Sequence, residues 1–104
     1  MQQIIENAWE NRALVQEIET KQAIEWVIEE LDKGRLRTAE KIDGNWKAHD
    51  WVKKAVILYF GIRQMETLHA GPMEFHDKMA LKSNYAELGI RVVPHAVARY
   101  GSFV

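Results

Sequence analysis

The sequence contains no cysteine, and this absence excludes several kinds of site. Disulfides, thiolate nucleophiles and cysteine-ligated zinc all require a thiol. Long hydrophobic runs are missing as well: the longest covers residues 55–60, far short of the roughly 20 residues that cross a bilayer. The first three residues lack the charged and apolar blocks of a signal peptide. We therefore expect a cytoplasmic protein with no membrane partner.

An excess of positive charge is also absent. The net charge is −1, with acidic and basic residues interleaved along the chain. Proteins that bind nucleic acid usually carry a basic excess that neutralises phosphates, so no nucleic-acid partner is expected. With 104 residues, 47% hydrophobic and 28% charged, the composition is that of an ordinary folded domain with one modest core.

Two amphipathic helices are predicted in the first third of the chain. Apolar residues at three- and four-residue steps indicate a helix over residues 2–18, followed by a break near residues 19–20. A second helix is predicted over residues 21–33, capped by Thr20 and terminated by Gly34. Its apolar stripe consists of Ile24, Val27, Ile28 and Leu31. The polar residues off this stripe are interpreted as a solvated face: Glu29, Glu30, Asp32 and Lys33.

A β-hairpin is predicted over residues 37–48. The pair Asp43-Gly44 readily supplies the positive φ values of a two-residue type I′ turn. With these two residues in the turn, Lys41 faces Trp46 and Glu40 faces Lys47. The first pair would place a cation over an indole ring, and the second would join opposite charges.

A third helix, a loop, a short helix and a strand are predicted over the rest of the chain. A largely buried helix is predicted over residues 50–60, with Asp50 as its N-cap, although residues 56–60 are also rich in strand formers. Residues 61–81 show no period and are predicted as a loop over the helices, with a turn at residues 71–72. One or two helical turns should follow over residues 83–88 and end at Gly89. Residues 90–93 are predicted as a strand because they are β-branched and precede Pro94.

No catalytic or metal-binding residue is predicted. The sequence has no Gly-rich phosphate loop, no nucleophile elbow and no suitably spaced pair of carboxylates. The histidines lack the i, i+4 spacing of helical metal ligands: His49, His69, His76 and His95. The tryptophans are interpreted as core anchors: Trp9, Trp26, Trp46 and Trp51.

Three segments together resemble the tetrahydrodipicolinate N-succinyltransferases, in the order and approximate spacing of that family. They are residues 39–46 (AEKIDGNW), residues 51–56 (WVKKAV) and residues 89–94 (GIRVVP), the last followed by Gly101. The resemblance implies an α+β, mainly helical fold: a small N-terminal domain with one hairpin and a C-terminal strand that leads into a left-handed parallel β-helix. It also implies a homotrimer that transfers succinyl from succinyl-CoA to tetrahydrodipicolinate in lysine and diaminopimelate biosynthesis.

The same resemblance predicts how the chain is divided. Residues 1–89 would be the helical domain, and residues 90–104 the start of the hexapeptide-repeat β-helix. These last residues contain two six-residue units, whereas a β-helix needs about three repeats to bury a continuous core. We therefore expect the catalytic domain and the succinyl-CoA contacts to lie outside this chain, which would bind no cofactor and be inactive alone.

One functional residue follows from the resemblance. The arginine of the family's Gly-X-Arg-Val-Val-Pro segment binds substrate, and it corresponds to Arg91. A guanidinium can hold a carboxylate through two parallel hydrogen bonds, which suits a dicarboxylate substrate. The structural alternative is an ion pair between Arg91 and Glu87. The alternative for the whole chain is a non-enzymatic helical interaction or oligomerisation module that pairs through its apolar C-terminal segment.

Overall fold

The computed structural model describes all residues, 1–104, and is built on three helices and two hairpins. Helix α1 spans Gln2–Glu10, a 3-10 helix spans Arg12–Gln16, and α2 spans Ile18–Asp32. The first hairpin pairs β1, Ala39–Ile42, with β2, Asn45–Ala48. Helix α3 spans Asp50–Ile62. The second hairpin pairs β3, Glu66–Ala70, with β4, Met73–Asp77, and a short helix α4 spans Tyr85–Leu88.

The core lies between α1, α2 and α3. Their apolar stripes recur every three or four residues, so each helix turns one face toward the other two. The side chains that are less than 3% exposed are Ile5, Ala8, Ala23, Ile24, Val27, Ile28, Val52, Ala55 and Leu58. Tyr59 and Met79 complete the core at 6% and 7% exposure. None of the helices combines the length and apolar content that a bilayer crossing requires.

The N-terminal helices differ from the prediction in where they divide. The predicted helix 2–18 ends at Glu10, because Asn11 leaves the helical region at φ −130° and its side chain accepts a hydrogen bond from the Ala13 N–H at 3.2 Å. Helix α2 then begins at Ile18, so Thr20 does not cap it but lies buried in its first turn. Its predicted end is confirmed: Gly34 follows the last turn at φ +74°, as glycine does after many helices.

The first hairpin is confirmed in its register. Lys41 pairs with Trp46 and Glu40 with Lys47, and both turn residues have positive φ, +50° at Asp43 and +80° at Gly44. The predicted contact between Lys41 and the indole is wrong, since none of the cation–π contacts in the structure involves Trp46. Trp46 is 75% exposed and Trp26 is 42% exposed, so neither is a core anchor.

The predicted helix over residues 50–60 is confirmed as α3, with His49 rather than Asp50 at its N-cap. The predicted loop over residues 61–81 is wrong, because this stretch contains the second hairpin. Its two-residue turn has φ +61° at Gly71 and a proline next, which fits a type II′ turn. The fold therefore has two hairpins instead of one.

The end of the chain also differs from the prediction. The short helix before Gly89 is confirmed as α4, and Gly89 has φ +71°. Residues 90–93, predicted as a strand, pair with no other strand. A single antiparallel bridge forms later, between Leu81 and Arg99. The α+β, mainly helical class is confirmed.

Candidate functional site

The candidate site lies in one loop near the C-terminal end, residues 83–97. Two backbone hydrogen bonds close the neck of this loop: Lys82 N–H donates to Ala98 O at 2.8 Å, and Tyr100 N–H donates to Ala80 O at 2.7 Å. Helix α4 and a backbone hydrogen bond from Ala96 N–H to Val93 O at 3.0 Å shape the loop internally. We refer to residues 83–97 as the Arg91 loop and to the pairing of residues 80–82 with 98–100 as its neck.

The Arg91 loop lines an open groove of about 430 Å³ together with Ala98 and Val104. Its walls are apolar, and Arg91 is the one side chain among them that is not hydrophobic. The apolar lining residues are Tyr85, Ile90, Val92, Val93, Ala96, Val97, Ala98 and Val104. A second groove of about 580 Å³ continues between this loop and the β3–β4 hairpin, where Met73 and Phe75 line it. Apolar walls with one polar group are typical of small-molecule sites, in which the polar group fixes orientation.

The guanidinium of Arg91 has no partner within the chain. Arg91 is exposed, and it makes no hydrogen bond, ion pair or aromatic contact. The predicted alternative, an ion pair with Glu87, is not formed. Each of the other five arginines has a partner. Two of them lie over aromatic rings: Arg12 over Trp9 and Arg37 over Phe103. Two form ion pairs: Arg35 with Glu30 and Arg99 with Asp77. Arg63 donates a hydrogen bond to Lys78 O.

The neck of the loop is fastened to the end of α2 by a buried carboxylate. Asp32 is 3% exposed, and its Oδ1 accepts hydrogen bonds from Lys82 Nζ at 2.6 Å and from the Gly101 N–H at 2.9 Å. Burial raises the pKa of this carboxyl, but the hydrogen bonds from Lys82, Gly101 and Lys33 outweigh it and hold the pKa below the ordinary 3.8. Asp32 therefore remains a carboxylate at neutral pH.

A tyrosine fastens the same region one turn earlier in α2. The hydroxyl of Tyr100 donates to the Glu29 carboxylate. Burial, together with this hydrogen bond and the negative charge of Glu29, raises the pKa of Tyr100 above its ordinary 10.0, so the phenol keeps its proton and stays a donor. The prediction of a solvated face on α2 is thus wrong for Asp32, while Glu29, at 44% side-chain exposure, remains partly solvated.

The histidines do not converge on a site. His49 Nε2 lies 2.9 Å from Glu40 Oε1, and His76 Nδ1 lies 3.0 Å from Thr67 Oγ1, both as local pairs. No group of three or more histidine, aspartate or glutamate side chains could hold a metal ion.

The prediction of Arg91 as a substrate-binding residue rests only on the family resemblance, and the pairing of Asp32 with Lys82 was not predicted. No local signal marks this pair. A carboxylate beside a lysine near the end of a helix is usually solvated, and two of the donors to Asp32 belong to residues 50 and 69 positions further along the chain.

Fold and groove together define a small α+β domain that presents one unpaired cation beside an apolar groove. The chain belongs to the family of tetrahydrodipicolinate N-succinyltransferase N-terminal domains, which residues 1–62 match. It is similar over its whole length to proteins named 2,3,4,5-tetrahydropyridine-2,6-dicarboxylate N-succinyltransferase. These include the proteins of Burkholderia multivorans, at 48% identity, and of Burkholderia cenocepacia and Bordetella pertussis, at 46% each. The chain spans 42% of the length of each of these relatives.

Proposed function

We propose that this chain forms part of the acceptor site of an acyltransferase that moves succinyl from succinyl-CoA to tetrahydrodipicolinate, and that Arg91 binds a carboxylate of that acceptor. Family membership and the names of the relatives support the activity. The groove supports the place of binding, because its apolar walls suit the carbon skeleton of a cyclic or opened dicarboxylate while the guanidinium meets a carboxylate.

The observation that carries this proposal is the unpaired guanidinium. A structural arginine is expected to donate to carboxylates or carbonyls within the protein, because its planar fork forms strong bonds to them. Four of the other five arginines do so, and the fifth, Arg37, lies over the Phe103 ring. Arg91 instead keeps all five donors available beside the groove. An exposed cation with no internal partner breaks no existing ion pair when it accepts an anionic ligand, and the cost of binding is the ordering of its own side chain, about 0.5–1.5 kcal/mol.

The remaining parts of the activity belong to the longer protein. Transfer of an acyl group to an amine needs a base for the ammonium proton and an oriented thioester, and this chain presents neither. We propose that residues 1–89 are the helical domain, that residues 90–104 begin a hexapeptide-repeat β-helix, and that the catalytic and succinyl-CoA contacts follow it. The enzyme would be a cytoplasmic homotrimer of lysine and diaminopimelate biosynthesis. The greater length of the relatives, of which this chain spans 42%, supports the placement of the catalytic and succinyl-CoA contacts outside this chain.

The test is kinetic and uses the full-length protein. Arg91→Ala should raise the KM for tetrahydrodipicolinate and leave the KM for succinyl-CoA unchanged. Losing a charge-assisted hydrogen-bond pair at an exposed site costs about 1.5–3 kcal/mol, so the rise should be on the order of 10- to 100-fold. Arg91→Lys keeps the charge without the fork and should give an intermediate KM.

Arg12→Ala is the matched control, because Arg12 is an arginine that contacts the Trp9 ring at 4.4 Å on another element. It should leave both KM values unchanged. An unchanged acceptor KM for Arg91→Ala would remove Arg91 from the site. A full-length protein that transfers no succinyl group to this acceptor would favour the alternative of a non-enzymatic interaction module, for which the exposed Val92, Val93 and Val97 would be the contact surface.

A further inference from the structure

The hydrogen bonds that join the Arg91 loop to the rest of the protein all lie at its neck. Within residues 83–98 no side chain forms a hydrogen bond or an ion pair with another part of the chain, and the backbone hydrogen bonds formed by residues 84–96 stay inside the loop. Most residues of the loop are exposed. The position of Arg91 relative to the three helices is therefore determined by how firmly the neck is held.

One carboxylate holds both sides of that neck. Lys82 lies where the chain enters the loop and Gly101 follows the point where it leaves, and Asp32 Oδ1 accepts a hydrogen bond from each, at 2.6 and 2.9 Å. Lys33 Nζ lies 3.3 Å from Oδ2, so the second oxygen is also engaged. Because Asp32 is the last residue of α2, the neck is tied to an element whose other face is in the core.

At Gly101 the backbone lies in contact with α2. Gly101 has φ +103°, and a Cβ at this position would lie 3.4 Å from Ile28 Cγ2. The backbone thus approaches α2 closely enough for its N–H to reach the carboxylate, which a bulkier residue at this φ would disfavour. A buried carboxylate with three donors is stable only while those donors remain in place.

We infer that Asp32 is a positioning residue, which closes the neck of the Arg91 loop and so fixes where the guanidinium is presented to the acceptor. This inference rests on the proposed function of Arg91. Neutralising Asp32 should weaken the bonds to Lys82 and Gly101 together, since both go to the same oxygen. The loop would keep its internal turns and its arginine, but Arg91 would no longer be held at one place.

Hydrogen exchange of the full-length protein, followed by mass spectrometry, tests the neck without reference to substrate. In Asp32→Asn, peptides covering residues 80–101 should exchange about tenfold faster, while peptides from the core of α2 and α3 change little. The matched control is Glu30→Gln, which removes a carboxylate from the same end of α2 that pairs with Arg35 at 2.7 Å and does not touch the loop. Its loop peptides should exchange at the wild-type rate.

Kinetics of the same variants test the positioning. Asp32→Asn should raise the KM for the acceptor about tenfold with the KM for succinyl-CoA unchanged. Lys82→Met removes the other partner of the 2.6 Å bond and should likewise speed exchange at residues 80–101 and raise the acceptor KM. Lys82→Arg keeps a charged donor and should bring both quantities back close to their wild-type values. Lys82→Met also provides the measurement if Asp32→Asn does not fold, because the Lys82 side chain is 18% exposed.

The outcomes separate this inference from the proposed function. Unchanged exchange at residues 80–101 in both Asp32→Asn and Lys82→Met would overturn the inference, whatever Arg91 does. Faster exchange with an unchanged acceptor KM would also overturn it, provided that Arg91→Ala raises that KM. An unchanged KM in Arg91→Ala would refute the proposed function, and the role of Asp32 in substrate binding with it.

Discussion

A substitution at Gly34 tests how the C-terminal residues pack against the end of α2, because a side chain at this position would collide with an aromatic ring. The ring of Phe103 lies over Gly34, and a Cβ there would be 2.7 Å from Phe103 Cδ2. Real Cβ atoms do not approach a neighbour so closely, so in Gly34→Ala the ring must move. Gly34 also has φ +74°, which costs an alanine about 1 kcal/mol or somewhat more.

The cost of displacing the ring follows from its burial. Phe103 is 58% exposed, so roughly two fifths of a side chain that can bury about 200 Å² is covered. At about 25 cal/mol per Å², losing these roughly 80 Å² costs about 2 kcal/mol. The full effect of Gly34→Ala on the free energy of unfolding is then about 3 kcal/mol, or on the order of a 12–24 °C fall in Tm for a domain of this size.

A double-mutant cycle with urea unfolding separates the two contributions. Phe103→Ala alone should cost about 2 kcal/mol. In that background Gly34→Ala should cost only the backbone strain, about 1 kcal/mol, because no ring remains to be displaced. Gly44→Ala is a control for strain alone, since Gly44 has φ +80° and a Cβ added there would meet no atom within 4 Å. Strictly additive effects of Gly34→Ala and Phe103→Ala would refute the seating of the ring on Gly34.

Two further predictions concern the core and the buried carboxylate. Ile24→Ala removes a side chain that is 0% exposed and should lower the free energy of unfolding by about 3–4 kcal/mol; a loss below about 1 kcal/mol in urea unfolding would show that α2 does not pack as described. The pKa of Asp32 in the folded state is lower than its ordinary value of 3.8. The charged carboxylate therefore stabilises the fold above pH 3.8, and this stabilisation is lost as the pH falls through the folded-state pKa. The free energy of unfolding, measured from about pH 6 down to about pH 2.5, should therefore fall more steeply for wild type than for Asp32→Asn, and parallel curves would contradict this.

The register of the first hairpin could be predicted because the information that sets it is local. Asp43-Gly44 adopts two consecutive positive φ values, and these fix both the turn type and the pairing of the flanking residues. The second hairpin has a turn signal at Gly71-Pro72, but this pair marks a turn in general and does not specify a hairpin as Asp-Gly does. Its strands, like those of the first hairpin, contain a single β-branched residue. A strand of average propensity is recognisable only when its partner is known.

The boundary between the first two helices could not be predicted from apolar spacing. The 3-10 helix Arg12–Gln16 repeats every three residues, so the apolar positions Leu14 and Val15 fit either helix type. The side chain of Asn11, which accepts a hydrogen bond from Ala13 N–H, is the local feature that marks the break. An asparagine in this position competes with the helix for the backbone donor.

The shape of the protein explains why the candidate site could be predicted only in part. The accessible surface of 7406 Å² exceeds the roughly 6,000 Å² expected for a compact protein of 12.1 kDa, and the radius of gyration of 15.8 Å exceeds about 13 Å. Exposed elements outside the three-helix core contribute to this additional surface. They include the Arg91 loop and the β1–β2 hairpin, in which every strand position is exposed. Such elements are shaped by their own turns, which a sequence reveals. Their attachment depends on single long-range contacts, and the contact between Asp32 and Lys82 leaves no periodic pattern by which it could be recognised.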